Sequence, residues 1–180
     1  LLRNVGVNPT RTGLIDMLRL MGADIRVTPL ADAGAEPVAD ILVHRSALHG
    51  VQVPEALVPL SIDEFPVFFV AAAAARGETR VSGAGELRVK ESDRLAVMAE
   101  GLAAVGVECE LLAEGLRIQG GAIGGGRIDS HGDHRIAMAF AVAAAVARAP
   151  IEIQDVANVV TSFPGFPEAA RAIGLDLASS

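Results

Sequence analysis

Five charges fall within eight residues at Leu87-Arg88-Val89-Lys90-Glu91-Ser92-Asp93-Arg94, in a chain otherwise rich in alanine, glycine and valine. Lys90 is the only lysine, so 14 of the 15 cationic residues are arginine. A helical pattern follows over residues 92–105, with Ser92 and Asp93 suited to its cap and first turn. Lys90 and Glu91 therefore fall just outside a helix N-terminus, and Arg94 points from its first turn. Free N–H groups and the helix dipole make such a place attractive to anions. Lysine supplies a point charge and arginine a planar fork for carboxylate or phosphate. Glu91, between two cations, is placed to act as an acid or a base. Taken alone, a charge run of this kind is more often a solvated, capped helix start.

A second segment has the same design. In Gly132-Asp133-His134-Arg135-Ile136-Ala137-Met138, Asp133 is the natural N-cap and Arg135 lies near the helix N-terminus. Arginine is slightly unfavourable there unless something negative binds beside it. His134 is of a type that titrates near neutral pH, although a lone histidine is more often structural. In Ser61-Ile62-Asp63-Glu64-Phe65-Pro66, Asp63 either caps a helix or faces the same edge to accept a proton or hold a hydroxyl. Thr161-Ser162-Phe163-Pro164 reads as the capped start of the last helix.

The elements that must position these residues come from a repeat. Helix, glycine and strand follow one another at Gly22, Gly106 and Gly174, each glycine in the left-handed position that ends a helix. The three strands expected after them are residues 25–27, 107–111 and 175–177. Two alanine-rich helices, residues 68–76 and 137–148, are apolar on nearly all sides and belong inside. The other three helices are amphipathic and belong outside. The order buried helix, strand, loop, amphipathic helix, glycine, strand runs once from Asp63 and again from Asp133. The start of the chain joins this cycle late, with strand 2–7, helix 10–21 and strand 40–44. The pattern predicts an α/β chain of three copies of one unit, the first truncated, with an alanine-rich helix encoded upstream of Leu1. Equivalent loops of such an array meet at one edge, which would carry Asp63, Lys90, Glu91, Arg94, His134 and Arg135. That set suits a ligand with several anionic groups.

Composition narrows the alternatives. The 180 residues fit one domain or a large part of a bigger protein. Hydrophobic content is 51% but aromatic content only 3%, so the expected core is Ala, Val, Leu and Ile. A net charge of −7 argues against nucleic acid as the main partner. The single cysteine, Cys109, lies on the apolar face of a strand pattern and reads as core, not nucleophile. No run has the length of a membrane span. Gly120 to Gly126 and residues 31–37 read as turn and loop.

Leu87 to Arg94 and Asp133 to Met138 resemble the two signatures of the C-terminal half of the 5-enolpyruvylshikimate-3-phosphate synthase family. Asn8-Pro9-Thr10-Arg11-Thr12-Gly13, Ile62-Asp63-Glu64 and Thr161-Ser162-Phe163-Pro164 match that family as well. The resemblance implies two domains, each of three βαβαββ units with buried helices. This chain would be most of the C-terminal domain, with units near 1–60, 61–130 and 131–180, and would need the family's other, N-terminal domain as its partner. It implies a cytoplasmic transferase of the shikimate pathway, in chorismate and aromatic amino acid biosynthesis, with no cofactor and no metal. The reaction would move the enolpyruvyl group of phosphoenolpyruvate to the 5-hydroxyl of shikimate 3-phosphate and release phosphate.

Carried over residue by residue, Asp63 matches the aspartate that holds or deprotonates the attacking hydroxyl, and Glu91 the proton-transferring glutamate. Lys90 matches a residue of the acceptor site. Arg94 and Arg135 match the phosphoenolpyruvate clamp, and His134 a residue lining it. Two positions depart from many members: Glu86 stands for an asparagine that contacts the acceptor, and Thr161 for a lysine that contacts phosphoenolpyruvate. Both departures resemble the subgroup known for tolerating glyphosate. Two other readings are a related enolpyruvyl transferase acting on UDP-N-acetylglucosamine, and a non-catalytic anion-binding or assembly module. On this view residues 1–180 alone are inactive.

Overall fold

The computed structural model describes residues 1–31 and 36–178. The chain begins with β1 (Leu2–Gly6), a 3-10 turn (Pro9–Arg11), α1 (Gly13–Leu20), β2 (Asp24–Pro29) and β3 (Val38–His44). Then come the buried helix α2 (Phe65–Ala74), β4 (Gly77–Arg80), a 3-10 turn (Gly85–Val89), α3 (Arg94–Ala104), β5 (Glu108–Leu112) and β6 (Gly115–Gly120). The last stretch is β7 (Gly126–Asp129), the buried helix α4 (His134–Ala143), β8 (Ile151–Gln154), α5 (Ala157–Ser162) and α6 (Phe166–Ala172). Part of the 31–37 loop lies outside the described residues.

The sheets repeat one topology. β1, β3 and β2 pair antiparallel in that order, and β4, β6 and β5 do the same. In both, a helix follows the first strand and the last strand of the trio sits in the middle. The cycle also has a strand that the sequence pattern did not show. β7 runs parallel to β8 just before α4. The segment 48–53 likewise runs parallel to β4 just before α2, through Gly50 N–H to Arg76 O and Val53 N–H to Arg80 O. β7 was hidden because Gly-Arg-Ile-Asp offers one apolar residue and no alternation.

Gly22, Gly106 and Gly174 all have positive φ (92°, 80° and 98°), as helix-terminating glycines do. The N–H after each returns to a carbonyl one turn back, Leu18, Leu102 and Ala170 respectively. Two of the three strands expected after these glycines form. Residues 175–177 are not a strand, because no described strand lies beside them to complete a ladder. The Leu177 carbonyl instead accepts from the Arg171 guanidinium, as the Ile25 carbonyl accepts from Arg19.

The core lies between α2, α3, α4 and the β4–β6–β5 sheet, with Met17 and Met21 of α1 joining it. It is not only aliphatic: Phe65, Phe68, Phe69 and Phe140 are fully buried. The few aromatics are concentrated there, and Phe65, Phe68 and Phe69 stack on one another at 5.4–6.4 Å. α3 crosses close to α4 at Gly101, where an added Cβ would lie 2.4 Å from the Phe140 ring. The N-terminal ends of α2, α3 and α4 lie at one edge, where Arg94 reaches both Asp63 and Asp133. No helix among the described residues is long and apolar enough to cross a membrane. Cys109 packs on the core, and burial, with the neighbouring Glu110 charge, pushes its thiol up to about 11.

Candidate functional site

Each buried helix begins at the shared edge, but the two begin differently. Asp133 caps α4, accepting from the N–H groups of Arg135 (2.9 Å) and Ile136 (3.4 Å). Asp63 caps nothing. Glu64 occupies the cap position of α2 and makes no capping bond, and Pro66 removes one N–H that would need a partner. The Asp63 carboxylate is thus free to face the loops of the other units, so the capping alternative is excluded.

Four cations surround it. Arg11 Nη2 donates to Oδ2 at 3.3 Å, and Arg135 Nη2 lies 3.7 Å from the same oxygen. Lys90 Nζ and Arg94 Nη1 lie 3.8 Å and 3.6 Å from Oδ1. Arg135 Nη1 also donates to the Asp63 backbone carbonyl at 2.9 Å, which ties α4 to the turn before α2. Arg94 and Arg135 sit at positive helix ends, as expected, and carboxylates of the protein offset the dipole there.

Arg94 is the most buried of the four, with 1% of its side chain exposed. Its Nε donates to Asp133 Oδ2 at 2.8 Å and its Nη2 to Glu91 Oε2 at 2.6 Å. Ser92 adds a hydroxyl donor to Asp133 at 3.1 Å, and Asp93 takes over as cap of α3 through Ala96 N–H. Burial alone would raise the Asp133 carboxyl. The Arg94 hydrogen bond and charge, the Arg135 N–H and the Ser92 hydroxyl together outweigh it and hold Asp133 below the usual carboxylate range. With Nε and Nη2 engaged, Arg94 Nη1 is a buried donor without a hydrogen-bond partner among the described residues. Such a donor costs free energy unless a ligand or water meets it.

Lys90 is held by Glu86, which reaches it from one turn back on the 3-10 segment. Glu91 is half-exposed while its carboxylate accepts from Arg94. A groove of about 170 Å³ runs from Asp63, Glu64 and Arg135 along Pro66, Val67, Met138, Ala139 and Val142.

Asp63, Glu86, Lys90, Glu91, Arg94 and Arg135 therefore come together. His134 opens α4 beside Arg135 and makes no hydrogen bond or ion pair among the described residues. Thr161 does not cap the last helix: it lies inside α5 and its hydroxyl donates to Asn158 O at 2.9 Å. α5 is fastened to the loop before His134 by Asn158 Nδ2 to Gly132 O, 2.6 Å. Arg11 was not among the expected site residues, although it stands in the Asn8 to Gly13 motif. Glu64, 3.7 Å from Arg11, and the Asp133–Arg94 link were missed as well.

This is the repeat-built α/β fold of the enolpyruvyl transferases, with a charged cluster at its edge. A solved enolpyruvyl transferase, NikO from Streptomyces tendae, superposes with a TM-score of 0.61 at 20% identity, over 92% of this chain and 36% of its own, which shows the fold alone. EPSP synthase from Acinetobacter baumannii superposes at 0.92 with 49% identity, over 95% of this chain and 40% of its own. The family model for EPSP synthase (3-phosphoshikimate 1-carboxyvinyltransferase) matches residues 1–169. A 3-phosphoshikimate 1-carboxyvinyltransferase of Alkalilimnicola ehrlichii is 64% identical over 98% of this chain and 40% of its own length. The chain belongs to the EPSP synthase family. It spans about two fifths of the length of the curated relatives it matches.

Proposed function

We propose that this chain supplies part of the active site of a 3-phosphoshikimate 1-carboxyvinyltransferase. The observation that carries this is the convergence of Arg11, Lys90, Arg94 and Arg135 on Asp63 at 3.3–3.8 Å. Four cations around one carboxylate suit a reaction that must hold two anionic substrates and move protons between them.

Asp63 takes the proton of the shikimate 3-phosphate 5-hydroxyl as its oxygen bonds to C2 of phosphoenolpyruvate. Glu91 gives a proton to the methylene carbon, which becomes a methyl group, and a tetrahedral intermediate results. Its C–O bond to phosphate then breaks, phosphate leaves, and Glu91 recovers a proton from the methyl group to restore the enolpyruvyl double bond. Arg94 and Arg135 hold the anionic groups of phosphoenolpyruvate. The free Nη1 of Arg94 is the natural first donor, because an incoming oxygen displaces no existing hydrogen bond there. Lys90, released in part from Glu86, holds the acceptor, and His134 lines the phosphoenolpyruvate side. Thr161 serves that side from α5. No metal or cofactor takes part.

Residues 1–180 form one domain, most of the C-terminal half of a two-domain cytoplasmic enzyme, with units near 1–60, 61–130 and 131–180. The N-terminal half of the same enzyme closes the site. The names of the relatives favour the shikimate acceptor over UDP-N-acetylglucosamine. In the full-length enzyme, Asp63→Asn and Glu91→Gln should each lower phosphate release by about 10²–10⁴-fold, the usual worth of an acid or base. Loss of less than threefold in both would remove them from these roles.

A further inference from the structure

Asp63 has four cations at ion-pair distance, yet among the described residues only one of them, Arg11, hydrogen-bonds its carboxylate. Arg11 comes from the other end of the domain, 52 residues earlier. Among the described residues it is also the one contribution of the first unit to the ion pairs of Asp63. We infer that Arg11 is a positioning residue of the reaction proposed above: it holds Asp63 by Oδ2 and so leaves Oδ1 to meet the acceptor hydroxyl.

The local structure is built to deliver this guanidinium. Asn8 caps the 3-10 turn at Pro9–Arg11, accepting from Thr10 N–H at 3.0 Å and from its hydroxyl at 2.8 Å. Pro9 fixes the first φ of that turn. Two residues on, Gly13 lies against Leu60, where an added Cβ would meet the Leu60 Cβ at 2.9 Å and its backbone at 3.0 Å. Leu60 belongs to the turn that leads directly into Asp63. The two turns are therefore held close together, and this packing fixes the point from which the Arg11 side chain, itself more than half exposed, reaches Asp63.

The two oxygens of Asp63 are then inequivalent. Oδ2 is fixed by Arg11 with Arg135 behind it. Oδ1 faces Lys90 and Arg94, the residues assigned to acceptor and phosphoenolpyruvate, and has no hydrogen bond among the described residues. A base that must take a proton from a bound hydroxyl needs one free, aimed oxygen. Arg11 also pairs with Glu64 at 3.7 Å, so one guanidinium bridges the two neighbouring carboxylates. Because Arg11 acts through Asp63, its removal should lower kcat and leave the KM for phosphoenolpyruvate nearly unchanged.

The test is a double-mutant cycle in the full-length enzyme, with Arg11→Gln, Arg11→Lys, Asp63→Asn and the Arg11→Gln/Asp63→Asn pair, assayed for phosphate release. Arg11→Gln should lower kcat about 3- to 30-fold, as loss of a charged hydrogen bond does, with the phosphoenolpyruvate KM within about twofold. Arg11→Lys should recover part of the loss, and Arg11→Gln should cost nothing further in the Asp63→Asn background. An equal loss in both backgrounds, an unchanged kcat, or a raised phosphoenolpyruvate KM alone would overturn the positioning role. A wild-type enzyme silent with shikimate 3-phosphate and phosphoenolpyruvate would overturn the reaction itself and Arg11's part in it. A working wild type with an indifferent Arg11→Gln would overturn Arg11 alone.

Discussion

Asp133 should be the most costly carboxylate of the site to remove, for stability before chemistry. It is fully buried and serves three groups at once: Arg94, the Ser92 hydroxyl and the first N–H groups of α4. Deleting one partner of a buried ion pair costs about 3–5 kcal/mol, because the other charge is left in place without its counter-ion. Here that charge is Arg94, with 1% of its side chain exposed, which would keep the half-exposed Glu91 and the partly exposed Asp63 but lose its fully buried counter-ion. Loss of a helix cap adds about 0.5–2 kcal/mol. Asp133→Ala should therefore cost about 4–6 kcal/mol, a large part of the 5–15 kcal/mol that holds a typical domain folded. Asp133→Asn keeps an oxygen for the cap and should cost about 2–4 kcal/mol. Urea unfolding at pH 7, followed by circular dichroism, measures both. The sign of the pH dependence follows from the depressed carboxyl. Its contribution is complete above the unfolded value of about 3.9 and is lost as pH falls through the lower folded value. The gap between wild type and Asp133→Asn should close in strong acid. An Asp133→Ala protein within 1 kcal/mol of wild type by this assay, against the loss above, would refute the idea that this link holds Arg94 in place.

Three further outcomes are expected. Gly101→Ala drives a methyl into the Phe140 ring at 2.4–2.6 Å and should destabilise by about 1–3 kcal/mol in thermal or urea unfolding, outweighing the better helix propensity of alanine. Cys109, its thiol raised to about 11, should resist iodoacetamide at pH 8 in the folded protein and react promptly in urea. Equal rates in both conditions would place the thiol in solvent. The 180-residue chain alone should release no phosphate from phosphoenolpyruvate and shikimate 3-phosphate, and measurable turnover by it would show that the site is complete without the rest of the enzyme.

Much of this site was legible because its residues sit at helix starts, where sequence signals are strongest. The cap at Asp133 and the placement of Lys90, Glu91, Arg94 and Arg135 on one edge followed from the repeat. What was hidden is what depends on pairing across units. Nothing in the spacing of Asn8 to Gly13 says that Arg11 reaches Asp63, because that contact is made by the packing of Gly13 on Leu60. Asp63 and Asp133 looked alike, yet a single extra residue at Glu64 moves the cap position and frees the Asp63 carboxylate. Ser92 looked like a cap and became a donor to Asp133. In the fold, glycine signals at Gly22, Gly106 and Gly174 marked helix ends correctly. They could not say whether a strand would follow, because a strand exists only where a neighbour completes it, as residues 175–177 illustrate.

Phosphate release by the full-length enzyme, supplied with phosphoenolpyruvate and either shikimate 3-phosphate or UDP-N-acetylglucosamine, tests the central claim most directly. Release with shikimate 3-phosphate alone is the expected result. Release with the sugar nucleotide alone would keep the fold and contradict the substrate, and silence with both would contradict the chemistry assigned to Asp63 and Glu91.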